Sequence, residues 1–300
     1  MRKGTRTKKT VIKTFLHIGI ALLLTAALLG AAALCALFVI ARGPSGNASE
    51  RLCATMQESG SVFTGLFFDK EEQRAAAHYY PPKESAKTEI DTGAASGTLA
   101  GIGKTAVSGK CWKGYVISGI DPAKVKLTVK SGGATASAAA VGLEGEIDAV
   151  LYDGVLTYAG DGGDELYSVC AMDPDGVLHI GGKTTYEIAN SGYTWAISAS
   201  RVLVADGKPL TDLGGGYAAR AAIGQKKDGS IILVYVKSTG FYPCGITFDE
   251  LASIMYEWGA VNAAALTAEG GMRIDGSLVC GSMKTPGYSI IASAEGTVEQ

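Results

Sequence analysis

The hydrophobic pattern divides this chain into three regions. The first is a run of 23 residues without a charge, Ile18 to Ile40, preceded by the basic cluster Arg2, Lys3, Arg6, Lys8, Lys9 and Lys13. As a helix at about 1.5 Å per residue the run reaches roughly 35 Å, enough to cross a hydrocarbon core of about 30 Å. A cleaved signal peptide has a shorter apolar core, about 7–15 residues. The pattern therefore predicts a retained transmembrane anchor over residues 14–41. Basic flanks stay on the cytoplasmic side, so residues 1–13 are expected inside and the body outside. The expected location is the cell membrane, single-pass, with an extracellular C-terminal domain.

The second region, 42–110, has a weaker pattern. Gly43–Gly46 reads as a short spacer. Ser49–Arg74 is expected to be helical, with Leu52, Met56, Val62, Phe63, Leu66 and Phe67 as an irregular apolar face. Pro81 and Pro82 then interrupt the chain, since neither carries an amide donor and each restricts the residue before it. Lys83–Lys110 is rich in Gly, Ala, Ser and Thr and has little to bury, so it reads as a linker. The folded domain is expected over 111–300.

In that third region the period changes to two. Tyr115–Ile120, Val125–Val129, Val155–Tyr158, Leu166–Cys170, Trp195–Ser198, Arg201–Val204 and Ile231–Val236 are short β-prone runs. Six Asp-Gly pairs punctuate them: Asp153-Gly154, Asp161-Gly162, Asp175-Gly176, Asp206-Gly207, Asp228-Gly229 and Asp275-Gly276. Asp-Gly suits a two-residue hairpin, whose central residues both need positive φ. One helix interrupts the strands. Thr247 and Glu250 form a capping box, Phe248, Leu251, Ile254, Met255 and Trp258 make one apolar stripe, and Gly259 ends it. The predicted class is α+β, a mixed, largely antiparallel sheet with a few packed helices, preceded by one N-terminal transmembrane helix.

Charge and cysteine content narrow the function. Seven of the 27 Lys and Arg lie in residues 1–42, leaving 20 bases against 29 acids in the remainder. An acidic body excludes a general nucleic-acid binder, which needs a basic footprint on its folded part. Five cysteines, Cys53, Cys111, Cys170, Cys244 and Cys280, follow the span. Export permits disulfides, but an odd count leaves at least one thiol outside any intramolecular pair, and plain buried cysteines are an equal alternative. No Cys-x-x-Cys occurs and His17, His78 and His179 are scattered, so no metal site is expected. The acidic group Asp161, Asp164 and Glu165 fits no calcium loop, and Asp173-Pro-Asp175-Gly176 places its glycine too early for an EF-hand. Gly214-Gly-Gly216 before Tyr217 could border a pocket, without resembling a P-loop. No cofactor is indicated.

Two stretches resemble a known family. The first runs from Tyr193-Thr-Trp-Ala-Ile-Ser through Arg201-Val-Leu-Val-Ala-Asp-Gly-Lys-Pro to Ala219-Arg220-Ala-Ala-Ile-Gly224. The second joins Lys227-Asp-Gly-Ser-Ile-Ile-Leu-Val234, the capped helix and Trp258-Gly-Ala-Val-Asn262. Together they are similar to the phosphodiester glycosidase family, whose bacterial members are commonly membrane-anchored and extracytoplasmic. The likeness extends over about residues 49–295. It implies the family's Arg before Ala-Ile-Gly at Arg220. Opposite the family's Asn-Gly-Gly segment stand Leu151-Tyr152-Asp153-Gly154. Opposite its Asn-Leu-Asp-Gly-Gly segment stand Ala265-Leu266-Thr267-Ala268-Glu269-Gly270-Gly271, so Thr267 occupies the aspartate position and Glu269 is two residues late.

Cleaving a sugar phosphodiester at the anomeric carbon needs a cation for the phosphate and carboxylates near the breaking bond. Arginine suits the first task, because its planar fork pairs two oxygens at once. The resemblance therefore implies Glu269 and Asp153 as catalytic candidates. It implies Arg220, Tyr152, Gly154, Thr267, Gly270 and Gly271 as substrate-binding candidates. Two expectations follow. One is an anchored hydrolase acting on glycosyl-1-phosphodiesters of surface or extracellular polysaccharide. The other is a degenerate relative that binds a glycan or phosphate polymer without cleaving it. A surface interaction protein using free sheet edges is a third class. The expected partners are the membrane and a glycan or sugar-phosphate polymer, with no nucleic acid.

Overall fold

The computed structural model describes residues 4–43, 45–59, 61–77, 82, 88–94, 103–129, 141–145, 150–152, 155–158, 167–240, 245–266, 271–274, 277–281 and 288–292. Helix α1 (Gly4–Arg42) is continuous. Its part from Lys13 to Arg42 is long and apolar enough to cross a membrane. Large side chains along it, among them Phe15, Leu22, Leu23, Leu28 and Val39, are exposed. Three short helices follow: α2 (Gly46–Glu58), capped by Ser45, α3 (Thr64–Phe67) and α4 (Lys70–Ala77). Leu52, Cys53, Ala54, Met56, Phe67, Phe68 and Ala76 bury with Ala41 of α1, and Leu37 packs against them. Arg42 pairs with Glu72 at 2.7 Å. Of the irregular apolar face expected over 49–74, Leu52, Met56 and Phe67 enter this small core at the end of α1, whereas Val62, Phe63 and Leu66 are exposed.

The remaining elements, numbered in chain order, begin with β1 (Gly103–Ser108), β2 (Trp112–Ile120), β3 (Val125–Val129), β4 (Val141–Gly145), β5 (Val150–Tyr152) and β6 (Val155–Tyr158). Next come β7 (Tyr167–Met172), β8 (Leu178–Lys183), α5 (Thr185–Asn190), β9 (Trp195–Ser198), β10 (Arg201–Ala205) and β11 (Lys208–Pro209). The last are β12 (Arg220–Lys226), β13 (Ile231–Ser238), α6 (Phe248–Glu257), β14 (Ala260–Leu266), β15 (Gly271–Ile274), β16 (Ser277–Gly281) and β17 (Tyr288–Ala292). The central sheet has the order β1-β2-β13-β12-β14-β10-β11; two five-stranded sheets run β16-β15-β4-β17-β3 and β6-β5-β9-β7-β8. The fold is α+β, with antiparallel pairing in every described ladder, for example Ala221 opposite Leu266 in β12 and β14.

The central sheet is apolar on both faces because each face has its own partner. On one face Val116, Leu203, Ala222, Ile232, Val234, Ala263 and Ala265 pack against Phe248, Leu251, Ala252 and Met255 of α6. Small residues bring the helix close: a Cβ on Gly224 would run into the Met255 methyl. On the other face Ile117, Ile223, Leu233, Tyr235 and Leu266 pack against Cys170, Leu178, Ile180, Trp195 and Ile197 from β7, β8 and β9. Met272 of β15 and Cys280 of β16 join that layer. Five of the six Asp-Gly pairs fall between consecutive paired strands. Asp153-Gly154 and Asp275-Gly276 among these, and the sixth pair, Asp161-Gly162, lie outside the described residues. At Asp206 and Gly207 the φ angles are 48° and 69°, the positive values that such a hairpin requires.

The sheet starts earlier than the expected boundary at residue 111. β1 lies inside the stretch read as a linker and pairs with β2 from Gly103 opposite Ser118 to Ser108 opposite Lys113. It is an edge strand with exposed side chains, so its stability comes from backbone pairing and no apolar alternation marks it. Residues 88–94 also lean on the domain. The Thr88 amide donates to the Asp206 carboxylate, and the Asp91 amide donates to the Lys227 carbonyl.

Candidate functional site

The central sheet brings two arginines to the same end. β14 runs between β12 and β10, with Leu266 opposite Ala221 and Ala265 opposite Arg201. Arg220 and Arg201, the first residues of the two flanking strands, therefore stand on either side of the C-terminal end of β14. Both guanidinium groups approach the ring of Phe248 at the start of α6. The Arg220 carbon is 3.4 Å from the ring centroid and that of Arg201 is 5.2 Å away. A cation over an aromatic face is favourable by about 0.5–2 kcal/mol, more as water is excluded.

Backbone carbonyls fix both groups. Arg220 is 5% exposed. Its Nε donates to the Ile246 carbonyl at 3.0 Å and its Nη2 to the Gly216 carbonyl at 2.7 Å. Arg201, half-buried, donates from Nε to the Leu213 carbonyl at 3.2 Å and from Nη1 to the Ser200 carbonyl at 2.7 Å. The segment from Leu213 to Gly216 thus supplies acceptors to both arginines. It is held in turn by α6, because the Leu213 amide donates to the Asp249 carboxylate at 3.1 Å. The bridge between Ala218 and Ile246 closes the frame.

The frame extends to α2, the helix that follows α1. The Tyr217 amide donates to Thr55 Oγ1 at 3.0 Å, and the Thr55 hydroxyl donates to the Arg51 carbonyl at 2.6 Å. Gly216 lies so close to Thr55 that a Cβ there would collide with the Thr55 backbone. Arg51 reaches Asp249 at 3.7 Å. Within Gly214-Gly-Gly216, noted in sequence as a possible pocket border, Gly216 forms a close-packed joint between α2 and Arg220, while a Cβ at Gly214 would meet nothing within 4 Å.

The other site candidates are placed as follows. Thr267, Glu269 and Gly270 lie outside the described residues, but the preceding residue of β14, Leu266, is fixed beside the arginines. Gly271 opens β15 opposite Gly281 and is buried. Asp153 and Gly154 also lie outside the described residues. Tyr152 ends β5 opposite Trp195, in the sheet packed on the face of the central sheet away from α6. The Arg220 side chain lies on the α6 face. Arg220 and Tyr152 therefore belong to different layers. The Trp195 indole N–H is buried with no hydrogen-bond partner among the described residues.

Sequence reasoning overlooked Arg201. The available signal was its position as a charged first residue of an otherwise apolar strand, the same position that Arg220 holds in β12. Only the strand order reveals that the two starts flank one strand end. Two forked cations on one aromatic ring can hold an anion with several oxygens, such as a phosphate diester.

A family model described as phosphodiester glycosidase matches residues 123–273. Among solved structures, the chain resembles the zebrafish N-acetylglucosamine-1-phosphodiester alpha-N-acetylglucosaminidase catalytic domain auto-inhibited by its pro-peptide. The TM-score is 0.53 at 16% identity, over 64% of this chain and 82% of that one. A hypothetical protein from Synechocystis aligns with a TM-score of 0.42 at 14% identity, over 63% of this chain and 61% of that one. The first likeness speaks for the fold. No curated protein matches the chain.

Proposed function

The chain belongs to the phosphodiester glycosidase family, and on that premise we propose that it is anchored in the cell membrane by α1, with its domain outside, and acts on glycosyl-1-phosphodiesters of surface or extracellular polysaccharide. The observation that carries this reading is the buried Arg220 beside Arg201 at the end of β14, both stacked on Phe248. In this reading the arginines hold the phosphate and draw off its charge as the bond breaks. The bond between the anomeric carbon and the phosphate oxygen opens, and the electron pair leaves with the phosphate. Water adds its hydroxyl to the sugar, and a carboxylate takes the proton, for which Glu269 and Asp153 are the candidates. Gly154, Thr267, Gly270 and Gly271 border the substrate in this reading, whereas Tyr152, in the layer on the other face of the central sheet, does not.

A second reading, binding without cleavage, is favoured by Thr267 at the position where the family pattern carries aspartate. Loss of a positioned acid or base costs about 10²–10⁴-fold in rate. The test is a panel of sugar-1-phosphodiesters offered to the full chain in detergent or nanodiscs, with released sugar and binding heat both recorded. Expected are binding that Arg220→Ala weakens tenfold or more, and cleavage far below the ordinary range of about 1–10³ per second. Ordinary turnover would remove the binding-only reading. Absence of any binding, or binding indifferent to Arg220→Ala, would remove the site.

A further inference from the structure

Val62, Phe63 and Leu66 sit together at the turn into α3 and are 88%, 57% and 70% exposed. Their neighbours Thr64, Phe67 and Phe68 are buried. The segment therefore has two apolar sides, an inner one packed in the cluster and an outer one that is exposed. Three large apolar side chains within five residues form a patch of the kind that marks an interaction surface.

We propose that this patch is a second membrane contact, inserted into the outer interface of the same bilayer that α1 crosses. The inference rests on the anchoring reading given above and adds to it. The argument for lipid as occupant is one of height. Leu37 lies nineteen residues after Ile18, about 28 Å along a helix, and so at the outer edge of a hydrocarbon core of about 30 Å. Leu37 and Ala41 pack against the cluster formed by α2, α3 and α4, which includes Phe67 and Phe68. Within that cluster α2 packs on α1 and α3 packs on α2, which holds α3 close to the end of the span. A second tie lies about 7.5 Å further along the helix: Glu72, six residues after Leu66, pairs with Arg42 at the end of α1. An exposed apolar group held at that height meets acyl chains and headgroups before any other partner. Short segments with an apolar face lie in this interfacial layer.

Two contact points, the anchor and the patch, restrict tilt in a way that one tether does not. α2, which follows the anchor, is joined through Thr55 to the Gly216 segment that holds Arg220. The arginine pair would then face a fixed direction relative to the membrane.

The test reconstitutes the full chain in phosphatidylcholine vesicles containing a phospholipid with a photoreactive acyl chain, and maps lipid adducts by peptide mass spectrometry after illumination. Expected are adducts within 18–41, adducts within 62–66, and none at Tyr186, which is 76% exposed on the domain. Phe63→Ser combined with Leu66→Ser should abolish the adducts at 62–66 and leave those of α1 unchanged. Adducts in α1 without any at 62–66 would overturn this inference and leave the anchoring reading intact. Absence of adducts in α1 as well would overturn both. Cross-links from 62–66 to protein in place of lipid would assign the patch to a protein partner and overturn the inference.

Discussion

Arg220 has a structural role and, in the proposed function, a recognition role as well, and the two can be separated by substitution. Arg220→Ala removes the donor to Gly216, one donor to Ile246 and the stack on Phe248. A buried acceptor left without a donor costs about 1–3 kcal/mol, and the lost cation–ring contact adds about 0.5–2 kcal/mol. The variant is expected to unfold about 2–4 kcal/mol more easily in denaturant melts, besides losing phosphodiester affinity. Arg201→Ala, at a half-buried site, should cost less stability while still weakening binding. An Arg201→Ala protein with unchanged affinity would reduce the site to Arg220 alone. Thr55→Val tests the joint. It keeps the shape of the side chain but removes the acceptor for the Tyr217 amide, for an expected loss of about 1–3 kcal/mol. Thr55→Ser should restore most of it. Arg220 was legible in the sequence because a motif surrounds it. Arg201 and Thr55 were not, since the roles of both depend on chain segments far away in sequence.

At the level of elements, local chemistry was readable wherever one residue type solves one backbone problem. Asp-Gly pairs marked hairpins because positive φ is needed there; Asp206-Gly207 adopts it at both positions, while at Asp175-Gly176 and Asp228-Gly229 only the glycine does. The capping box of α6 is formed as expected, with Thr247 Oγ1 accepting from the Glu250 amide and the Glu250 carboxylate accepting from the Thr247 amide. A second such box, Thr184 with Glu187, starts α5 and was missed, because that helix has only six residues and buries only Ile188. β1 was missed because Gly, Lys, Thr, Ala and Ser carry no alternation; its pairing partner alone makes it a strand. The α6 cap has consequences beyond the helix, since Phe248, the next residue, carries both arginines on its ring. Thr247→Ala is expected to cost about 1 kcal/mol and to loosen ligand binding through the displaced ring. A stability loss of that size with affinity unchanged would show that Phe248 is held by packing alone.

Among the described residues, the molecule is a central sheet with α6 on one face and strands of the two five-stranded sheets on the other, continuous through α2 with α1. This layering was not legible. A strand buried on both faces reads as an unbroken apolar run, and such a run does not say what covers either face. The same layering shapes the response to pH. Cys170 is enclosed between the sheets, and burial pushes its thiol well above the ordinary range. Burial also raises Tyr235 to about 12, with the nearby Cys280 adding to the shift. In the helical cluster, burial and then Glu72, Asp69 and Glu50 raise Cys53 to about 11. Each group is neutral when protonated and binds its proton more tightly in the folded state. The stabilisation is therefore complete below the unfolded values, about 8.5 for Cys and 10 for Tyr, and is lost as pH rises above them. Between about pH 9 and 11 each cysteine should lower stability by about 1.4 kcal/mol per pH unit, with Tyr235 joining above about 10. Denaturant melts from pH 7 to 11 are expected to show a steepening alkaline decline. Cys170→Ala should flatten it while costing little volume in the core. An equally steep decline in that variant would place the alkaline weakness elsewhere, in Cys53 or Tyr235, and Cys53→Ala measured over the same range would separate the helical cluster from the domain.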